Sequence, residues 1–465
     1  MDGIDYGISG SRPEGSAKNI VCEVIINCTM ENVQKEDPQR LLDLNCNIIR
    51  LGLDPIRHLL ERMENPQLKY PAVLIGGTNG KGSTAAILSC ILKESGYKVG
   101  LYTSPHLTSI CERIRINGSL ISEERMQDCF GMIQSSLEEP LTYFEVLTAS
   151  AYLYFYQEKV DIAVLEVGMG GRLDATNVVT PLVSVISNVH LEHQEYLGRH
   201  LRDIAAEKAG IIKENSVCVT AVTQKAVLDL LSETCRQKEA TLYRLGKDIR
   251  VRVKGDGTFS YQGIAIKLDD LKCTLSGAHQ IKNAALALAA AEVVTTKGIR
   301  VNRQAMLSGV ACASWDGRLE ILQNTPTVLV DGAHNPAAAN VLCQALRNRN
   351  ADDHRLLIFG ALGDKNYRLM LKKLLPFFDH VIFTKPKTER AVDVADLIRA
   401  ARHYDRSAEA IEDSCEALQR ALCLTGKNDM ICITGSLYLV GEIKKRYAEN
   451  LHAACKHGIS PAVAS

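Results

Sequence analysis

One junction constrains the fold more than any other part of the chain. Residues 70–77, YPAVLIGG, form a short apolar run closed by glycines, which reads as a buried strand. Directly after it come Thr78-Asn79-Gly80-Lys81-Gly82-Ser83, and residues 81–96, KGSTAAILSCILKESG, then read as a helix with a glycine stop. A strand buried on both faces needs a crossover to return the chain, so strand, glycine loop and helix together predict a parallel βαβ unit. The loop also suits phosphate. Backbone N–H groups converge at the helix start, and the helix dipole favours negative charge there. Lys81 is placed to neutralise β/γ-phosphates, and the hydroxyl of Ser83, or of its neighbour Thr84, to reach magnesium. The run departs from G-x-x-x-x-G-K-[ST] twice: Ile75 stands in the first glycine position, and Gly82 precedes the hydroxyl. The plainer alternative is a glycine turn that only tightens the junction.

The strand-and-helix rhythm continues. After an amphipathic helix from Asp54, buried strands are expected at residues 98–104, 160–171, 181–189 and 216–222, with helices between them, the longest at 141–159. Residues 113–122, RIRINGSLIS, predict a hairpin turned at Asn117-Gly118. Residues 240–275 are β-rich and irregular, and 278–298 form an alanine-rich helix. Past Gly317 a second alternating series begins: TVLVDGAHN, RLLIFGALGD, HVIFTKP and DMICITGSL. The fold class is α/β: a large P-loop nucleotide-binding domain with a mostly parallel sheet, then a smaller C-terminal Rossmann-like, doubly wound domain. The expected division is an N-terminal extension at 1–38, an ATP-binding central domain at 39–314 and a C-terminal domain at 315–465. The site is expected in the cleft between the two domains.

Composition narrows the partners. Formal net charge is zero and no long basic run occurs, so nucleic acid and membrane surfaces are not expected. The 15 cysteines are scattered with no C-x-x-C pair, and Cys90, Cys218 and Cys432 sit in apolar runs. Most therefore read as small core residues in a reducing compartment. No apolar run reaches the roughly 18 residues of a membrane span. The first residues lack the charged-then-apolar order of a signal peptide, so a cytoplasmic location is expected.

Five motifs occur in order: Thr78 to Ser83; Thr103-Ser104-Pro105-His106-Leu107; Leu165 to Asn177, LEVGMGGRLDATN; Glu207-Lys208-Ala209-Gly210-Ile211; and Asp331-Gly332-Ala333-His334-Asn335-Pro336. Together they resemble the folylpolyglutamate synthase and dihydrofolate synthase family, a branch of the Mur ligases, over roughly residues 50–445. The T-Y-F-E form at 142–145 looks like the bacterial bifunctional type.

The resemblance implies ATP-dependent amide formation between L-glutamate and dihydropteroate or a reduced folate, by way of an acyl phosphate, in a monomer. It implies magnesium, two ions, held by Ser104, Glu166 and His193 together with Ser83. It makes Lys81, Lys208, Glu166 and His193 the catalytic set, with Lys208 carbamylated by carbon dioxide. Thr78, Asn79, Gly80, Lys81, Gly82, Ser83, Asn283, Arg318 and Asp331 are implied to hold ATP. Thr142, Tyr143, Phe144 and Glu145, with Leu173, Asp174 and Ala175, are implied to hold the pterin. Two positions depart from the family pattern: Glu192-His193 replaces Asp-His, and Asp316 replaces the proline before Gly317-Arg318. Independently of the resemblance, Glu166 ends an apolar strand before a glycine-rich loop, where parallel sheets face their ligands. Two rivals stay open: a Mur-type ligase acting on another substrate, and a nucleotide-dependent switch without ligase activity.

Overall fold

The structure is a computed structural model that describes residues 50–347, 349, 354–404 and 406–456. The expected extension at 1–38 lies outside the described residues.

The first sheet has eight strands: β1 (Ala72–Gly76), β2 (Val99–Tyr102), β3 (Ile114–Ile116), β4 (Ser119–Leu120), β5 (Ile162–Glu166), β6 (Val183–Ile186), β7 (Val217–Thr220) and β8 (Thr241–Arg244). Their order is β4-β3-β2-β5-β1-β6-β7-β8. β1 lies between β5 and β6, parallel to both, with Ile75 beside Glu166. Only the edge hairpin β3–β4 runs antiparallel, and it turns where the sequence predicts, with Asn117 at φ 50° and Gly118 at φ 88°.

Both faces of this sheet are covered, which is why its central strands are buried at every position and apolar at all but Ser184 and Glu166. On one face lie the helices Lys81–Glu94 and Ala278–Thr296; the alanine run of the second is buried nearly all round. The other face carries Tyr143–Gln157, whose Phe155 ring fills the space above Gly100, where a Cβ would lie 2.8 Å from the ring.

A small antiparallel sheet follows, β9 (Arg250–Val253), β10 (Phe259–Gln262) and β11 (Lys267–Leu271). It is tied to the alanine-rich helix by the buried Glu292. That carboxylate accepts from Tyr261 Oη at 2.6 Å and from the backbone N–H of Ile264, Ala265 and Ile266 at 3.0, 2.6 and 3.1 Å. Four donors compensate the loss of water around a buried acid.

The helix Arg303–Cys312 ends in a short connection, residues 313–319, that leads to the third sheet. Its strands are β12 (Glu320–Asn324), β13 (Thr327–Val330), β14 (Arg355–Phe359), β15 (His380–Phe383), β16 (Ser407–Ala410) and β17 (Met430–Thr434), in the order β12-β13-β17-β14-β15-β16. All pairs are parallel except β12–β13. No helix among the described residues is long and apolar enough to cross a membrane.

Candidate active site

A cavity of about 460 Å³ opens between the first and third sheets. It collects loops that follow β1, β2, β5 and β6 on one side and β13, β14 and β17 on the other. This is the ligand crevice at the carboxyl ends of parallel strands.

The loop after β1 is held from beneath by the end of β6. Thr78 N donates to Asn188 O at 2.9 Å, Asn79 N to Asn188 Oδ1 at 2.9 Å, and Ser187 Oγ to Asn79 O at 2.7 Å. Gly80 has φ 82°, and a Cβ there would lie 2.5 Å from Asn283 Oδ1, so glycine is required twice over. Lys81 curls back so that Nζ donates to Thr78 O at 3.2 Å. The two candidate hydroxyls separate cleanly. Thr84 Oγ1 donates to Gly80 O inside its own helix at 2.8 Å, whereas Ser83 lines the cavity.

Gly82 explains the departure from the usual phosphate-loop pattern. The indole of Trp315, in the connection between the sheets, lies against it; a Cβ at Gly82 would be 2.9 Å from Trp315 Nε1. The guanidinium of Arg115 covers the same indole at 5.1 Å.

Glu166, at the end of β5, is 5% exposed and accepts from Ser104 N at 3.1 Å. Among the described residues it makes no ion pair. Burial raises its carboxyl above the ordinary range, opposed chiefly by the charge of Lys81 and then by Ser104 N–H and Arg318. His193 has a left-handed backbone, φ 47°, and caps the short helix Gln194–Leu197. Burial, then the charge of Lys365 from beyond β14, lowers its imidazole to about 4.

Lys208 is not on the cavity wall. It lies directly behind the phosphate loop and is 1% exposed. Its Nζ donates to Gly77 O at 2.9 Å and to Glu192 Oε1 at 2.8 Å. Burial lowers its pKa, and Glu192 opposes that shift.

Across the cleft, Gly332 makes room for Arg318: a Cβ there would meet Arg318 Nη1 at 2.1 Å. Asp331 accepts from Leu319 N at 2.9 Å and Ala333 N at 3.0 Å, which fixes the strand end beside the connection. Asn283 Nδ2 donates to Gln280 Oε1 at 2.8 Å.

At the other end of the cavity, Thr142 and Glu145 form a capping box for Tyr143–Gln157. Glu145 Oε2 accepts from Thr142 N at 2.7 Å and from Thr142 Oγ1 at 2.8 Å. Oε1 is buried with no hydrogen-bond partner. Phe144 lies over Gly168, where a Cβ would be 2.5 Å from the ring, and Leu173, Asp174 and Ala175 continue the wall. Asp174 accepts from Met169 N at 2.8 Å and Thr176 N at 3.0 Å.

Eighteen of the twenty residues singled out from the sequence line this cavity; Lys208 and Tyr143 do not. Tyr143 precedes Phe144 on a helix, so its side chain leaves about 100° away. It lies instead under the Arg113 guanidinium at 5.6 Å. Arg113 is a cavity residue that the sequence reading missed. It is 8% exposed, and Nε donates to His106 Nδ1 at 3.0 Å. No carboxylate partner of it occurs among the described residues. Its only sequence signal was a polar position in a hairpin pattern. Two more cavity residues were not singled out for the site: His334 stands inside the Asp331 to Pro336 motif, and Lys365 carried no signal beyond following an apolar strand.

Comparison with known proteins settles the lineage. Residues 75–291 match the Mur ligase middle domain, and residues 317–437 the Mur ligase glutamate ligase domain. The Bacillus subtilis dihydrofolate synthase/folylpolyglutamate synthase is 36% identical over 412 residues, spanning 86% of this chain and 95% of that protein. The chain belongs to the folylpolyglutamate synthase and dihydrofolate synthase family of Mur ligases. Among solved structures of this family, Escherichia coli FolC in complex with DHPP and ADP superposes with a TM-score of 0.83 at 30% identity, covering 89% of this chain and 97% of that one. The Yersinia pestis bifunctional folylpolyglutamate synthase/dihydrofolate synthase, complexed with AMPPNP and a manganese ion, gives 0.79 at 29% identity, covering 89% and all of that chain.

Proposed function

We propose that the cavity joins L-glutamate to dihydropteroate, to reduced folates or to both through an amide bond, using ATP. The observation that carries this reading is the convergence in one cleft of three chemistries: the phosphate loop with Lys81, the buried Glu166, and an apolar wall with an unpartnered acceptor at Glu145.

A carboxylate resists attack by an amine because its charge and resonance must first be removed. Transfer of the γ-phosphoryl group to the substrate carboxylate breaks that resonance and gives an acyl phosphate and ADP. The glutamate amine then attacks the acyl carbon, the C–O bond to phosphate breaks, and the amide forms with loss of the amine proton. Negative charge develops on phosphoryl oxygens, and Lys81 and Arg318 face it from opposite sides of the cleft. Gly80, Gly82 and Ser83 offer backbone N–H groups to the phosphates, Thr78 and Asn79 hold the loop in shape through their bonds to Asn188, and Asn283 and Asp331 bound the nucleoside side. Thr142, Phe144, Glu145 and the 173–175 segment receive the pterin: Phe144 offers a ring face, and Glu145 Oε1 an acceptor for a donor edge.

Magnesium fits the residues present. Glu166 is a buried carboxylate with no ion-pair partner among the described residues, and Ser83 and Ser104 bring hydroxyl oxygens to the same cavity. With the neutral imidazole of His193 they would hold the ion, which when bound supplies positive charge to the phosphates. Lys208 fits carbamylation in that its amine is desolvated and therefore more easily neutral. Its carbamate would stand beside Glu192, so the two anions need a cation, and a second magnesium ion meets that need. The reading takes residues 39–314 as the ATP-binding unit and 315–465 as the unit that brings glutamate, in a monomer that closes on its substrates.

The test is direct. Purified protein with ATP, magnesium and labelled glutamate is offered dihydropteroate and tetrahydrofolate separately. Label enters the pteroate product and ADP appears in equal amount only when a pteroate compound is present. ATP hydrolysis that ignores both pteroate and glutamate would overturn the reading in favour of a nucleotide switch.

A further inference from the structure

Three side chains with metal-ligand chemistry converge well away from the cleft. Cys90 and Glu94 lie one turn apart near the C-terminal end of the helix Lys81–Glu94, and Cys312 is the last residue of the helix Arg303–Cys312. The two sulfurs are 3.4 Å apart, and the two sulfurs and a Glu94 carboxylate oxygen all lie within 4.8 Å of one another. The i, i+4 spacing puts Cys90 and Glu94 on one helix face. Close helix packing presents Cys312 to them: Gly309 lies so near the first helix that a Cβ there would be 2.5 Å from Ile91 Cα. The geometry therefore rests on two packed helices rather than on a loop.

Sulfur excludes a hard cation such as magnesium and favours a softer one. A tetrahedral zinc site with metal–sulfur distances of about 2.3 Å sets two sulfurs about 3.8 Å apart. Small side-chain rotations reach that from the observed spacing. Cys312 and Glu94 are exposed, so an ion can enter and water can complete the shell. Burial, and then the neighbouring Cys312 thiol, push Cys90 up to about 12, with Glu94 adding to the shift. Coordination through a thiolate releases the thiol proton.

We propose that Cys90, Cys312 and Glu94 form a site for a thiophilic divalent cation of the zinc class, with water as fourth ligand, distinct from the ATP cleft. An ion there clamps the helix that follows the phosphate loop to the helix that leads into the connection between the sheets.

The full-length protein, reduced and stripped of metal, is titrated with Co²⁺ and then with Zn²⁺. One equivalent of cobalt is expected to give a sulfur-to-metal charge-transfer band that zinc abolishes. Cys90→Ser and Cys312→Ser each lose the band. Glu94→Gln, which leaves both thiols, keeps it with affinity lowered at least about tenfold. Zinc raises the Tm of the wild type and leaves that of Cys312→Ser unmoved. No band in the wild type, or a band that survives in both serine variants, overturns the proposal. So does a Cys90–Cys312 disulfide that persists under thiol reductant.

Discussion

Lys208 and Glu192 form a buried ion pair behind the phosphate loop, with Nζ and Oε1 2.8 Å apart and the two side chains 1% and 10% exposed. Burial alone would raise the Glu192 carboxyl, but Lys208, and then Lys81, outweigh it and hold the group at about 2 instead of 4.5. A carboxyl depressed on folding contributes stability that is complete above its unfolded value and is lost as pH falls through its folded value.

Glu192→Gln leaves the Lys208 ammonium buried without a counter-charge. In metal- and bicarbonate-free buffer it is expected to cost about 3–5 kcal/mol at pH 7. The gap to wild type narrows as pH falls from 4.5 toward 2. Denaturant unfolding at pH 7 and at about pH 3 checks this; an equal loss at both would show that the pair carries no linkage.

Lys208→Ala is expected to lower ligase turnover by about 100-fold or more, the scale of losing one charge-stabilising group. It also strands Glu192, so its stability falls as well. Lys208→Ala with Glu192→Gln separates the two effects, because removing both charges restores stability while turnover stays low. Wild-type protein in ¹³C-bicarbonate should show a carbamate carbon resonance that the alanine variant lacks. Near wild-type turnover in Lys208→Ala removes the carbamate from the reaction.

Gly82→Ala places a methyl group against the Trp315 indole, 2.9 Å from Nε1. The helix start must move, and with it the N–H groups proposed to hold phosphate. KM for ATP is expected to rise about tenfold or more while KM for the pteroate substrate holds. Trp315→Leu in the same chain relieves the contact and recovers part of the loss. Trp315 is the single tryptophan, so its fluorescence should change when ATP binds the wild type. Unchanged ATP kinetics in Gly82→Ala would show that the contact has no bearing on the nucleotide.

Glu145→Gln keeps a side-chain oxygen for the capping box but puts an amide at the buried, unpartnered Oε1 position in the cavity wall. An acceptor becomes a donor, so KM for the pteroate substrate is expected to rise about 10- to 100-fold, with KM for ATP unmoved and stability changed by less than about 1 kcal/mol. Parallel rises in both KM values, or a large drop in Tm, would mark Glu145 as a purely structural cap.

Much of the site was legible because its chemistry is local. Gly80, Lys81 and Ser83 reach the cavity from a strand, a loop and a helix start that are contiguous in the chain, and Glu166 and Asp331 stand at the ends of apolar strands. Arg113 was not legible: a polar residue in a hairpin has the same pattern whether it faces water or a cavity. Tyr143 shows the reverse. It shares a motif with Phe144, yet the helix turns it out of the cavity and under Arg113.

By itself the sequence determined the alternation of strands and helices, the hairpin turn at Asn117-Gly118, and the family, because periodicity, turn chemistry and ordered motifs are properties of neighbouring residues. The tertiary structure decided which strands stand at the centre, that Lys208 is buried against Glu192 rather than solvated, and that Gly82 must be glycine because Trp315, 233 residues later, rests upon it. Burial, ion pairing and steric contact depend on distance in space, and spacing along the chain does not encode that distance.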